Sequence, residues 1–126
     1  MYRCLFVAIA TAALVAPAAA QMQRNFPSNA LRGSIVVAST SEIRLNGRSA
    51  EFAPGVRIRD QDNMLQLSGT VVGKKLLVNY TIDIGGQVKD VWILRPEEAA
   101  MRPWPTTTQQ AEAWSFDFGT QTWTRP

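Results

Sequence analysis

The segment from Leu76 to Leu94 constrains the fold more than any other stretch of the chain. Leu76, Val78, Tyr80, Ile82 and Ile84 alternate with Leu77, Asn79, Thr81 and Asp83. Alternation with a period of two sends these sets to opposite faces of one strand. Gly85-Gly86 interrupts the pattern, and Val91-Trp92-Ile93-Leu94 returns. A two-residue turn at the glycines sets Tyr80 opposite Val91 and Val78 opposite Ile93, so the apolar faces coincide. A four-residue loop would keep the same faces. The opposite face is mixed, with Leu77 across from Leu94 and Asn79 across from Trp92. Left bare, that end would be an adhesive patch, so the pattern calls for a cover.

Upstream, short strands are divided by turn chemistry. Ile35-Val36-Val37-Ala38 is apolar and β-branched, and Ser39-Thr40-Ser41 marks a turn or bulge. Ile43 and Leu45 alternate with Glu42, Arg44 and Asn46 before Asn46-Gly47, a hairpin pair that tolerates positive φ. Pro54-Gly55 reads as the next turn, after which Val56 and Ile58 alternate with Arg57 and Arg59. Asp60-Gln61-Asp62-Asn63 reads as a turn built from Asx side chains. It lacks the glycine and the distal Glu of a calcium-binding loop.

Downstream, Pro96 to Arg102 reads as one or two helical turns, with Pro first and Glu97-Glu98 near the start. Pro103-Trp104-Pro105 ends it. Thr107 or Thr108 can cap a second short helix, Gln109 to Trp114. Ser115 to Trp123 then reads as a small terminal hairpin. The rings of Trp104, Trp114, Phe116, Phe118 and Trp123 are the candidates for the cover over Leu77, Trp92 and Leu94.

These elements predict a mainly β fold, a small antiparallel β-barrel or rolled sheet with short C-terminal helices and an aromatic terminal segment. Val71-Val72-Gly73-Lys74-Lys75-Leu76-Leu77-Val78-Asn79-Tyr80, followed by Asp83, Gly86, Val88 and Val91-Trp92-Ile93-Leu94, resembles the second half of small OB-like or SH3-like barrel domains found in exported bacterial proteins of unknown function. The resemblance spans residues 31–95 and implies a fold, without carrying over functional residues. The expected organisation is a signal peptide at 1–20, a mobile leader at 21–30, a barrel at 31–95, and helices with an aromatic tail at 96–126.

The signal is read from three parts in order. Arg3 supplies the positive start, Cys4 to Val15 the apolar run, and Ala18-Ala19-Ala20 the small residues before Gln21. That apolar run is short of the roughly 20 residues needed to span a bilayer. Export is therefore expected, to the periplasm of a two-membrane bacterium or otherwise to the medium. Cleavage would remove the chain's one cysteine, Cys4, and leave no cysteine after Gln21 for a lipid anchor; the chain has no His. Such a mature chain has no Ser–His–Asp or Cys–His machinery and lacks the usual zinc, haem and iron–sulfur ligands. No cofactor or metal is expected.

Without Arg3, twelve basic side chains face ten acidic ones, a net charge of +2. The basic residues are dispersed, unlike a nucleic-acid-binding surface. The carboxylates Asp83, Asp90, Asp60 and Asp62 carry no mark of a paired acid–base site, and no enzyme is expected. Two functions remain. One is a non-enzymatic module acting by contact with a protein or envelope component. The other is a binding module for anionic glycan or lipid head groups, with Arg57 and Arg59 on one strand face beside Trp92 and Trp104.

Overall fold

The computed structural model describes residues 23–126. The signal reading of residues 1–20, and Gln21 and Met22 of the leader, lie outside the described residues. The strands are β1 (Leu31–Val37), β2 (Glu42–Leu45), β3 (Arg48–Arg59), β4 (Leu65–Gln66), β5 (Lys75–Ile82), β6 (Val88–Ile93), β7 (Ser115–Asp117) and β8 (Thr122–Thr124). The helices are α1 (Pro96–Ala99) and α2 (Thr108–Ala113), and Ser68–Val71 forms a 3-10 turn.

Five strands close into a barrel in the order β1-β2-β3-β6-β5 and back to β1. Every contact in the ring is antiparallel except β3 with β6, which is parallel. Leaving out the two-residue β4, this is the strand order of an OB-type barrel. Closure removes the sheet edges that would otherwise invite association; β4, appended to the outer end of β3, restores one.

The long hairpin has the register that its alternation specifies. Val78 pairs with Ile93, Asn79 with Trp92 and Tyr80 with Val91. Its tip differs from the two-residue turn. Asp83 N donates to Gln87 O at 2.8 Å, so Ile84, Gly85 and Gly86 form the tip. The extra residue is absorbed at Lys89, because Thr81 pairs with Asp90 while Ile82 pairs with Val88. A bulge of this kind displaces one residue without disturbing the ladder beyond it. It also lifts Ile84 off the core face to full exposure, 108% of its reference area.

Asn46-Gly47 makes the expected hairpin, with φ of 53° and 83° respectively. Pro54-Gly55 does not make a separate turn. It bends a single strand, β3, where the pairing with β6 is interrupted between Phe52 and Arg57. Proline there gives up no ladder bond, and Gly55 supplies the positive φ that the bend needs. Inside the barrel, Ile35, Val37, Ile43, Phe52, Ile58, Val78, Tyr80, Val88 and Val91 form the core, and Val71 joins them from the 3-10 turn. Gly33 lies in β1 because the Tyr80 ring occupies the space of a side chain: a Cβ on Gly33 would stand 2.8 Å from Tyr80 Cε1.

A second core lies outside the barrel wall, formed by Phe26, Ala30, Leu94, Trp104 and Trp123 with Trp92, Trp114 and Phe116 packed around it. Phe26 is fully buried, edge-on to Trp92 at 5.6 Å and to Trp104 at 5.7 Å. The described part of the leader is therefore a packed segment, correcting the expectation of a mobile one. The cause is Phe26, whose apolar area outweighs the entropy of ordering a few polar neighbours. The aromatic tail covers Trp92 and Leu94 but leaves Leu77 half exposed. Ala111 of α2 packs against both cores, joining the barrel to its outer layer. The cap of α2 is Thr107, whose Oγ1 accepts from Gln110 N at 3.1 Å.

Candidate functional site

The parallel pairing of β3 with β6 sets Arg57 beside Asp90 and Arg59 beside Trp92. Ile58 and Val91 alternate with them and point into the core, so Arg57, Arg59 and Trp92 share the outward face. Arg57 is exposed, and Arg59 and Trp92 are half buried. Trp104 does not join them. It is 6% exposed, its Nε1 donates to Ala30 O at 3.0 Å, and Phe26 stands edge-on to both it and Trp92. The expected open surface with two Trp rings beside two Arg is thus reduced to three residues, because Trp104 is needed in the outer core.

Of the four carboxylates considered from the sequence, those of Asp60, Asp83 and Asp90 are engaged in local structure. Asp60 Oδ1 accepts from Asp62 N and Met64 N, both at 2.9 Å, and Oδ2 accepts from Gln66 Nε2 at 2.8 Å. Asp83 Oδ1 accepts from Gln87 N, and Asp90 Oδ2 from the Thr81 hydroxyl, each at 2.9 Å. Each fixes a turn or a strand pair. Among the described residues, no group of three His, Cys, Asp or Glu side chains could hold a metal ion.

A layer of buried charge between barrel and outer core was not legible in the sequence. Arg24 grips Glu98 through Nη2 and, at 2.9 Å, through Nε; it also donates to the carbonyls of Asp60 and Ile93, each at 2.8 Å. Glu98 Oε1 also accepts from Arg95 N at 2.9 Å, closing the first turn of α1. Burial alone would raise the Glu98 carboxyl. The Arg24 hydrogen bond, the Arg95 backbone N–H and the two guanidinium charges outweigh that and hold it below its ordinary range.

Arg32 completes the layer from β1. It donates to Asn79 Oδ1 at 2.8 Å and to the carbonyls of Glu98, Ala99 and Met101, the end of α1. Burial, then the neighbouring Arg102 charge, brings its pKa down to about 10, with Glu98 opposing. The layer ties the leader, the barrel and α1 together, and it explains why Arg24 and Glu98 are buried at all.

Two further surfaces could meet something outside the chain. One is the connection between β3 and β5, where Met64, Leu65, Leu67 and Val72 are 63%, 64%, 78% and 44% exposed. Beside it lies a cavity of about 460 Å³ whose wall includes Asp60, Gln66, Lys74 and Ile93. The only sequence sign of this surface was apolar residues without strand period in a segment bounded by turn residues. The other is a groove of about 470 Å³ beneath α2 and the terminal hairpin, with Trp114, Phe116 and Trp123 on its wall.

No protein family, curated protein or solved structure matches the chain. Function is therefore argued from these surfaces. Among the described residues, no helix is long and apolar enough to cross a membrane.

Proposed function

We propose that the chain is an exported, non-enzymatic β-barrel module that acts by contact with a protein partner. The observation that carries this reading is the exposed apolar set Met64, Leu65, Leu67 and Val72 on the connection between β3 and β5. Large side chains exposed together in one short segment mark an interaction surface more than solvated loop does. β4 lies within this segment and is the last strand of its sheet, paired to β3 through Ile58–Gln66 and Arg59–Leu65. Its outer edge can add main-chain hydrogen bonds to apolar contact. Export rests on the signal reading of residues 1–20.

The alternative, an anionic glycan or lipid site at Arg57, Arg59, Trp92 and Trp104, is disfavoured by the burial of Trp104. A photo-crosslinking residue at Leu67, activated in intact cells, tests the choice. The expected result is a discrete protein adduct, lost when Leu65 and Met64 are replaced by Ser and absent from the same probe at Ile84. Adducts of glycan or lipid alone, or equal protein adducts at Ile84, would overturn the proposal.

A further inference from the structure

The groove beneath α2 lies away from the β3–β5 connection and has its own chemistry. Its volume, about 470 Å³, falls in the ordinary range of small-ligand sites. The back wall is aromatic and rigid. Phe116 stacks on Trp123 at 4.6 Å between centroids and 26° between planes, and Trp114 stands edge-on to Trp123 at 6.5 Å. Trp114 and Phe116 keep part of their rings open. Flat rings with such open surface offer large contact area at small entropic cost.

Leu31, Ile82 and Ala111 extend the apolar part of the wall, and four polar residues complete it. Ser28 and Asn29 approach from the leader, and Thr108 and Glu112 from α2. All four are exposed, so their side chains can reach a ligand.

Charge narrows the ligand class. Glu112 is the one charged side chain on the wall, and it disfavours an anion. The Arg125 guanidinium lies 5.3 Å from the Trp114 ring centre, already taking the cation site of that ring. What remains is an uncharged ligand with apolar ring faces and many hydroxyls. We propose that this groove binds a short neutral oligosaccharide, stacked on Trp114 and Phe116 and hydrogen-bonded to Ser28, Asn29, Thr108 and Glu112. The site is independent of the protein-contact surface.

Titration of the isotopically labelled protein with cellotriose, maltotriose and the trimer of N-acetylglucosamine tests this, with a heparin-derived tetrasaccharide as the anionic comparison. At least one neutral trimer is expected to shift the indole N–H signals of Trp114 and Trp123 in the millimolar range. Trp114→Ala should weaken that binding about tenfold, as truncating a stacking anchor does. Because Trp114 also packs on the outer core, Glu112→Gln provides a second probe at an exposed position; it should weaken binding measurably while leaving the melting curve unchanged. Replacing Met64 and Leu65 by Ser should leave saccharide binding intact, separating this site from the contact surface. The proposal fails if none of the three neutral trimers shifts either indole. It also fails if the sulfated tetrasaccharide binds the groove as well as the neutral ones, or if both Trp114→Ala and Glu112→Gln leave affinity unchanged.

Discussion

Phe26→Ala tests whether the N-terminal segment is a structural part of the fold. The side chain is fully buried, with Trp92 and Trp104 edge-on at 5.6 and 5.7 Å and the Arg24 guanidinium 5.6 Å from its ring centre. Truncating a buried Phe to Ala costs about 3–5 kcal/mol, the larger values arising where the surroundings cannot collapse. Collapse is restricted here on two sides. Trp104 is held by its bond to Ala30 O at 3.0 Å, and Trp92 is fixed in the ladder opposite Asn79. The two edge-on ring contacts would each be lost as well, about 0.5–1.5 kcal/mol apiece beyond area burial. The expected loss is therefore about 4 kcal/mol. Against a total stability of about 5–15 kcal/mol for a domain of this size, that is a large fraction. It corresponds to a fall in Tm of roughly 15–30 °C. Urea unfolding followed by Trp fluorescence measures it directly, with Ile84→Ala, at a fully exposed tip residue, as the control expected to change nothing. A Phe26→Ala loss under about 1 kcal/mol would mean that the segment is dispensable and the outer core closes without it.

Glu98 makes the fold sensitive to acid. Its carboxyl is held below the ordinary range, so the folded state binds fewer protons than the unfolded one as pH falls below about 4.3. The stability it contributes is present above that range and is lost as pH falls through the depressed folded pKa. Glu98→Gln should flatten this part of the pH profile and, by removing the counter-charge that Arg24 grips, cost about 3–5 kcal/mol at pH 7; urea midpoints from pH 7 to pH 3 read both, and an unchanged acid slope would sink the assignment. Gly33→Ala should cost about 1–3 kcal/mol, because the new Cβ meets the buried Tyr80 ring at 2.8 Å and Asn46 Oδ1 at 3.0 Å. The same unfolding assay checks it, and a stability equal to wild type would show that the ring moves aside freely.

What the sequence made legible is what depends on local period. The β5–β6 register follows from alternation, since a slip by one residue would turn Val78, Tyr80, Val91 and Ile93 out of the core together. The lengths of the turns do not follow from alternation. A bulge at Lys89 keeps the pairing from Val78 to Thr81 intact while changing the tip, so the register was readable and the fate of Ile84 was not. Pro54-Gly55 misled for a related reason: the same dipeptide serves a turn between strands or a bend within one, and only pairing on both sides of it decides.

The candidate surfaces were hidden for a different cause. Whether an aromatic ring is core or surface depends on which other segments reach it, and Phe26 and Trp104 meet across 78 residues of chain. The described part of the leader forms no strand or helix of its own, in keeping with its lack of periodicity; it adds one ring and one guanidinium to a site assembled by others. Arg24 is buried only because Glu98 is placed by the first turn of α1, and that turn is placed by the end of β6. The segments with the weakest local signal therefore carry long-range contacts of the outer layer. The barrel can be derived from pattern, whereas its outer layer follows only once the barrel is in place. One candidate surface belongs to that dependent part of the molecule, the gap left where α2 and the terminal hairpin settle against β1 and β5; the other is the connection that follows β3, which stays with the barrel through β4 and Val71.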